Sequence, residues 1–176
     1  MPPLYNSKLN SHNKSISVQD NFLTQEEFDQ LEVNIRDDIR WQIGGVDNPK
    51  EYPNVSPSDN FQLHCDLLTS PYFKIVFPIV DKLDIRSWVR IKSNMRPRTF
   101  TTVHTHFHTD FPSPKYDGLT TSIFYANTCN GYTEFEDGTK IESVANRLLS
   151  FPYDAMHRGI SCTDEPCRIV INFNYF

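Results

Sequence analysis

The residues with the greatest capacity for chemistry lie in the middle of the chain, in the segment VHTHFHTDF at 103–111. Three histidines and an aspartate occur there at every second position: His104, His106, His108 and Asp110. If the segment is a regular β-strand, these side chains share one face, because alternate residues of a strand point the same way. A histidine and a carboxylate two residues apart can then bind one metal ion. The segment therefore predicts a metal site, although a His-x-Asp motif alone is common by chance.

A second set of candidate residues lies near the C-terminus, in LLSFPYDAMHRGISCTDEPCRIVINF at 148–173. His157 is expected on a short strand after a proline-containing turn, and a hairpin would return Arg168, at the start of the last strand, to its side. An arginine that faces the interior needs an anionic partner, and its planar guanidinium matches a carboxylate through two parallel hydrogen bonds. The two segments together predict two histidines and one carboxylate around a metal, as in non-haem iron oxygenases, beside a pocket for a dicarboxylate.

The N-terminal half contains one clearly marked helix, in FLTQEEFDQLEVNIRDDIRW at 22–41. Thr24 is a good N-cap and Glu27 follows three residues later, which is a capping box. The apolar residues fall on one helical face that must pack on another element, most simply a sheet: Phe28, Leu31, Ile35 and Ile39. A second helix is expected within 71–82.

From Ile85 onward, short runs of β-branched and aromatic residues alternate with turn residues. The expected strands lie within 85–93, 99–109, 119–127, 132–144, 147–153 and 167–176. Many short strands at close spacing indicate a sandwich or barrel. Together with the preceding helices they predict a mainly β fold with flanking helices, a double-stranded β-helix (jelly roll) whose helices pack on one sheet.

The chain is expected to consist of a flexible N-terminal segment at 1–18, with a short strand near its end, and a single domain at 19–176. Segments 43–60 and 110–118 are rich in turn-forming residues and are expected to be loops. A long loop in a compact domain is often a lid or a binding segment. These two loops are therefore expected to contact a substrate, and a plain surface excursion is the alternative for 43–60.

The composition of the 176 residues argues against several classes of function. The net charge is −5 and no run of lysine and arginine forms a basic stripe, so a nucleic-acid partner is not expected. No apolar stretch fits a signal peptide or a membrane span. The cysteines include no CxxC pair, so no structural zinc site is expected, and they are interpreted as reduced thiols of a cytoplasmic protein. A bridge between Cys162 and Cys167 is the alternative.

The order of these motifs resembles the 2-oxoglutarate/Fe(II)-dependent dioxygenase superfamily, and within it the prolyl-hydroxylase-like branch. In that superfamily a His-x-Asp motif is followed by a distal histidine and then by an arginine. The branch adds a helix start of the kind seen in DNFLTQEEFDQL, a strand that ends in Tyr-x-Asn, and a glycine-rich stretch that leads to phenylalanine. This chain has the last two at 125–127 and 131–135. The resemblance runs from Asp20 to Phe176.

The resemblance implies a role for each candidate residue. The iron(II) ligands would be two histidines and an aspartate: His108, Asp110 and His157. Arg168 would bind the far carboxylate of the cosubstrate 2-oxoglutarate with help from the Tyr125 hydroxyl, and Asn94 would also face the cosubstrate. With O2, the enzyme would hydroxylate an unactivated C–H bond of a small-molecule or peptide substrate, such as a prolyl or other amino-acid unit, and release succinate and CO2. The resemblance does not indicate an oligomeric state.

Two positions depart from the pattern of the branch. The family often has a second glycine where this chain has Asn130, and some members have a serine where this chain has Val170. The second departure implies that Tyr125 and Arg168 make most of the contacts to the cosubstrate.

Two other functions stay open at this stage. The spacing His-x-His followed by an acidic residue is also that of a cupin, a metal-binding jelly roll that needs no 2-oxoglutarate. Its ligands would be His104, His106, Asp110 and His157. Cupins do not require an inward arginine on the last strand, so Arg168 argues against this assignment. The other alternative is a non-catalytic binding module on the same fold, against which the intact set of candidate ligands argues.

Overall fold

The protein is described by a computed structural model that covers residues 15–45 and 61–176. Ten strands occur in these residues: β1 (Ser17–Gln19), β2 (Gln42–Gly45), β3 (Phe61–Asp66), β4 (Trp88–Pro97), β5 (Thr120–Tyr125), β6 (Tyr132–Phe135), β7 (Lys140–Glu142), β8 (Arg147–Pro152), β9 (His157–Gly159) and β10 (Cys167–Tyr175). Seven of them form an antiparallel sheet in the order β1-β8-β5-β10-β4-β3-β2, and three form a second sheet in the order β7-β6-β9. The prediction of a mainly β fold with flanking helices is confirmed.

The first helix, α1, spans Gln25–Asp37 and begins at the predicted capping box. The Thr24 hydroxyl accepts a hydrogen bond from the Glu27 amide at 3.3 Å, and the Glu27 carboxylate accepts one from the Thr24 amide at 2.8 Å. Ile39 lies beyond the end of the helix but is still buried. The second predicted helix is a 3₁₀ turn at Phe73–Val76 that continues into the short helix α2 at Phe77–Val80. No helix in the described ranges is long and apolar enough to span a membrane.

The large sheet separates two apolar clusters, and strand β10 shows how. Ile171 and Phe173 face the helices and belong to the first cluster, which contains the buried side chains of α1. Val170 faces the other way, into a second cluster between the two sheets. Arg168 and Asn172 have the same orientation as Val170 because alternate residues of a strand share a face. Strand β10 therefore places polar side chains in the space between the sheets.

The predicted strand at 99–109 is wrong. This segment contacts the end of the smaller sheet through two isolated bridges, His104 with Ile160 and His108 with His157. Between these two bridges, a side-chain hydroxyl makes hydrogen bonds in place of a regular backbone ladder. The Thr105 hydroxyl accepts from the Gly159 amide at 3.1 Å, for example. Side-chain bonds thus complete part of the pairing between these two segments, and no continuous strand forms at 99–109.

The predicted hairpin from His157 to Arg168 is also wrong, because β9 and β10 belong to different sheets. The two residues nevertheless line the same cavity.

Two predicted boundaries in the N-terminal half are corrected by the structure. The flexible segment predicted for 1–18 ends too late, because Ile16 is fully buried and Ser17–Gln19 pairs with β8. The loop predicted for 43–60 begins too early, because residues 43–45 belong to β2. Residues 1–14 and 46–60 lie outside the described part of the chain.

Candidate active site

Three predicted ligands converge on one point. One ligand atom from each of His108, Asp110 and His157 lies within 4.8 Å of the others. In the described parts of the chain this is the only group of three or more His, Cys, Asp or Glu residues with such spacing. His104 and His106 are not part of it, so the ligand set that a cupin would need is not assembled. That these three residues bind a metal stays a prediction.

The two histidines are held side by side by backbone pairing. The amide of His108 donates to the carbonyl of His157 at 2.9 Å, and the amide of His157 donates to the carbonyl of His108 at 3.0 Å. Their ring centroids are 4.8 Å apart. Asp110 follows two residues after His108, so the i, i+2 relation inferred from the sequence holds locally although no regular strand is present.

Local hydrogen bonds fix which nitrogen of each histidine is available. Nδ1 of His157 lies 3.0 Å from the carbonyl oxygen of Ala155, and Nδ1 of His108 lies 3.1 Å from that of His106. A carbonyl oxygen only accepts, so Nδ1 must carry the proton in each neutral ring. The lone pair is therefore on Nε2 in both rings, which is the arrangement of a histidine prepared for a metal.

Asp110 is held as a carboxylate. Its side chain is 6% exposed and lies 2.7 Å from the guanidinium of Arg90. The amide of Asn174 donates to its other oxygen at 2.9 Å. Burial acts to raise the pKa of Asp110, but the charge of Arg90 and the hydrogen bonds from Asn174 and Arg90 outweigh it and hold this pKa below its ordinary value. Each carboxylate oxygen has two lone pairs, so one remains for a metal.

His157 is neutral over a wide pH range. It is 4% exposed. Burial, followed by the neighbouring His108, lowers the pKa of His157 from 6.5 to about 4. A metal ion therefore does not have to displace a proton from this ring at neutral pH.

This depressed pKa gives a testable pH dependence of stability. Between about pH 6.5 and about pH 4 the unfolded chain binds a proton at His157 that the folded protein does not, so stability falls as the pH falls through this window. At about 1.4 kcal/mol per pH unit, the metal-free protein is expected to lose about 2 kcal/mol of unfolding free energy between roughly pH 7 and pH 5. Urea denaturation at the two pH values measures the loss. His157→Gln should remove this part of the dependence, and an unchanged dependence in the variant would contradict the assignment.

Arg168 is a buried cation oriented by neutral groups. It is 7% exposed. Its Nε donates to the Ser143 hydroxyl at 2.7 Å and its Nη2 to the Thr133 hydroxyl at 3.1 Å. The Thr133 hydroxyl also accepts from the Tyr125 hydroxyl at 2.8 Å, and the guanidinium lies over the Tyr125 ring, 5.5 Å from its centroid. No carboxylate of residues 15–45 or 61–176 forms an ion pair with Arg168. A buried arginine without an anionic partner indicates that a ligand supplies one.

The candidate metal ligands and Arg168 line the same cavity, which has a volume of about 290 Å³. This is near the lower end of the range for small-molecule pockets, roughly 300–1,000 Å³. Two side-chain oxygens in the lining, Asn94 Oδ1 and Asn172 Oδ1, are buried without a hydrogen-bond partner among the described residues. Buried polar atoms are normally paired, and a rotated amide presents Nδ2 as a donor in the same place. The lining therefore fits a polar ligand with carboxylate groups.

Gly131 makes room for Arg168. A Cβ at this position would lie 2.7 Å from Cδ of Arg168 and 2.8 Å from the carbonyl oxygen of Ile160. Gly131→Ala is therefore expected to destabilise the protein by about 1–3 kcal/mol, as overpacking does, and to displace the guanidinium. Affinity for 2-oxoglutarate should fall while metal affinity is retained. Anaerobic titrations with each ligand measure the two effects.

Gly138→Ala is the matched control for this prediction. Gly138 has a φ of +86°, but a Cβ at this position would have no neighbour within 4 Å. This variant should lose stability through backbone strain and bind 2-oxoglutarate normally. If both variants lost the same affinity for 2-oxoglutarate, the effect would be one of stability alone.

Several site residues were not identified from the sequence. They are the partners of the predicted residues: Arg90, Thr133, Ser143 and Asn174. Arg90 and Asn174 could have been found from alternation, since they share a face with Asn94 and Arg168 on their strands. Arg158, the residue after His157, pairs with Glu134 at 2.6 Å and lies over the Phe107 ring.

The structure is similar to solved structures of 2-oxoglutarate-dependent enzymes. A prolyl hydroxylase from Trichoplax adhaerens, in complex with a hypoxia inducible factor peptide fragment, is 18% identical with a TM-score of 0.65, and the match covers 92% of this chain and 83% of that one. A Pseudomonas putida prolyl-4-hydroxylase is 13% identical with a TM-score of 0.59, over 93% of both chains. This chain has the jelly-roll fold of these oxygenases.

A third structure belongs to the same group. HygX from Streptomyces hygroscopicus, solved with nickel and 2-oxoglutarate bound, is 10% identical with a TM-score of 0.60, over 91% of this chain and 82% of that one. No protein-family model matches the sequence, and no curated protein is significantly similar to it in sequence. The predicted double-stranded β-helix is thus confirmed, and the resemblance to the prolyl-hydroxylase-like branch is supported at the level of the fold.

Proposed function

We propose that the protein is an Fe(II)- and 2-oxoglutarate-dependent dioxygenase that hydroxylates an unactivated C–H bond. The observation that carries the proposal is the placement of two features around one cavity. One is the cluster of His108, Asp110 and His157, and the other is the buried guanidinium of Arg168, which pairs with no carboxylate of residues 15–45 or 61–176. A metal-binding protein that takes no dicarboxylate cosubstrate does not require a buried arginine of this kind.

Each residue has a distinct role in this proposal. His108, Asp110 and His157 would hold Fe(II), and Arg168 would pair with the far carboxylate of 2-oxoglutarate. Bound Fe(II), together with 2-oxoglutarate and O2, would supply the oxidising chemistry that releases succinate and CO2. The Tyr125 hydroxyl reaches the cosubstrate end of the cavity through Thr133, and Asn94 lines the cavity beside it.

The substrate would reach the metal from the side of His108. His108 is exposed, whereas His157 is buried, so the cluster lies at the opening of the cavity. Segment 110–118, which carries the 3₁₀ turn Pro114–Tyr116, begins at the ligand Asp110 and is placed to contact a substrate there. We propose a small-molecule or peptide substrate, in keeping with the peptide bound by the Trichoplax prolyl hydroxylase. The four cysteines are free thiols, which agrees with the cytoplasmic location that we propose.

Cosubstrate binding tests the proposal without knowledge of the substrate. The purified protein is loaded with Fe(II) under anaerobic conditions and titrated with 2-oxoglutarate, and the metal-to-ligand charge-transfer absorbance is followed. We expect this band to develop and, after O2 is admitted, succinate to form slowly even without substrate. Metal binding without the band would favour a cupin-type protein, and failure to bind either would favour a non-catalytic module.

A further inference from the structure

The cavity carries more positive charge than the proposed cosubstrate neutralises. Its described lining contains four cationic side chains and one carboxylate: Arg90, Lys92, Arg96 and Arg168 against Asp110. A divalent metal ion and the 2-oxoglutarate dianion cancel each other. Arg90 offsets Asp110, and Lys92 and Arg168 are still cations of the described lining, so the loaded site remains suited to a further anion.

Lys92 is a cation of this lining that makes no ion pair with the described residues. Arg90 pairs with Asp110 and donates to Asn174 at 3.0 Å, and Arg96 has an interaction partner of its own. Lys92 forms no ion pair with a carboxylate of the described residues. The carboxylates that influence it are Asp110 and Asp66. Asp66 lies opposite Lys92 on the neighbouring strand β3, and neither carboxylate forms an ion pair with it.

The ammonium of Lys92 is partly withdrawn from water. Burial, and then the charge of Arg90, lower the pKa of Lys92, and the two carboxylates only partly offset this effect. An ammonium in such a place is stabilised by an anion that binds next to it. The structure therefore favours an anionic ligand group at this position.

The position of Lys92 separates it from the Arg168 end of the cavity. Lys92 is paired in register with Asn172 of β10, whereas Arg168 is paired with Arg96. Four residues along a strand correspond to about 13 Å. The amide of Asn172, which has a buried oxygen without a partner among the described residues, lies opposite Lys92. An ammonium and an amide side by side form a site for an oxyanion that is distinct from the Arg168 site.

We propose that Lys92 and Asn172 bind a carboxylate of the primary substrate, which is therefore a small carboxylic acid such as a free or N-acylated amino acid. This inference rests on the proposed function. The cavity volume of about 290 Å³ also suits a small acid better than the interior of a long peptide, whose backbone offers no carboxylate.

Paired ligands test this inference directly. The probes are amino acids and N-acetylamino acids, each compared with its primary amide, on protein loaded with Fe(II) and 2-oxoglutarate without O2. The readouts are the shift of the charge-transfer band and the thermal shift. We expect at least one acid to bind wild-type protein tenfold more tightly than its amide. Lys92→Met should abolish the preference for the acid and change 2-oxoglutarate affinity less than twofold. Lys92→Arg should retain part of the preference for the acid. The control Lys74→Met should retain all of it.

Three results would overturn the inference. They are the absence of any acid that binds more tightly than its amide, a preference that persists in Lys92→Met, and a loss of 2-oxoglutarate affinity in that variant in place of acid affinity. The thermal-shift comparison is repeated with metal alone. A wild-type protein that fails to bind 2-oxoglutarate therefore refutes the proposed function, while the acid and amide pairs still decide the role of Lys92.

Discussion

Arg168→Ala is expected to weaken 2-oxoglutarate binding by roughly two to three and a half powers of ten, with little change in metal affinity. Removing one partner of a buried ion pair typically costs about 3–5 kcal/mol, and about 1.4 kcal/mol corresponds to a factor of ten. The guanidinium is 7% exposed, so water does not replace it easily. The proposed metal ligands belong to other elements and keep their own hydrogen bonds.

Arg168→Lys should not restore the affinity. Nε and Nη2 of the guanidinium bond to Ser143 and Thr133 at the same time, and a single ammonium cannot reproduce this fork and also meet a carboxylate bidentately. Tyr125→Phe should have a smaller effect, about 0.5–1.5 kcal/mol, because it removes one neutral hydrogen bond. The measurement is the anaerobic 2-oxoglutarate titration of Fe(II)-loaded protein.

Arg158→Ala is the matched control for the Arg168 variants. Arg158 follows the proposed ligand His157 but pairs with Glu134 and does not line the cavity. Its loss should leave 2-oxoglutarate affinity unchanged. If Arg168→Ala bound 2-oxoglutarate as tightly as wild type, or if both variants lost affinity equally, the cosubstrate assignment would fail.

Asp110→Ala is expected to weaken metal binding by more than about 100-fold and to abolish turnover. Removing a residue that only hydrogen-bonds to a metal ligand lowers metal affinity about 10–100-fold. This variant removes a proposed ligand itself. It also leaves the cation Arg90 next to the site without its 2.7 Å partner, which opposes a metal ion further. Since Asp110 belongs to neither apolar cluster, the fold should persist.

Metal titration monitored by calorimetry, with far-ultraviolet circular dichroism as the check on folding, measures this effect. His104→Ala is the control, because His104 lies outside the cluster but would be a ligand in a cupin. It should bind metal as wild type does. Full turnover in Asp110→Ala, or loss of metal in His104→Ala, would refute the proposed ligand set.

The features that sequence predicted well are local ones. The capping box of α1 depends on residues three apart, and its hydrogen bonds form as expected. Alternation on β10 is equally local, and it places Arg168 and Val170 on the inner face. His108 and Asp110 point to one site because a separation of two residues needs only a short extended stretch.

The features that sequence could not predict depend on which distant segments meet. Membership of β9 and β10 in different sheets is decided by the packing of the whole domain. The partners of Arg168 show the same limit: Ser143 is 25 positions away and Thr133 is 35 positions away. Short strands such as Gln42–Gly45, with two glycines, show no clear alternation, so the sequence predicts a loop from residue 43 onward.

The wide separation of Asp110 and His157 in the chain has a consequence for the lifetime of the protein. They are 47 positions apart in the sequence, and closing a loop of that size costs an unfolded chain about 4 kcal/mol in chain entropy. A divalent ion held by these residues, as proposed, would therefore bind the native state almost exclusively and stabilise it by mass action, by about 2.7 kcal/mol at a hundred times the dissociation constant. Metal supply would then govern how long each molecule survives proteolysis, and chelation should shorten its half-life in a protease assay even where catalysis is irrelevant.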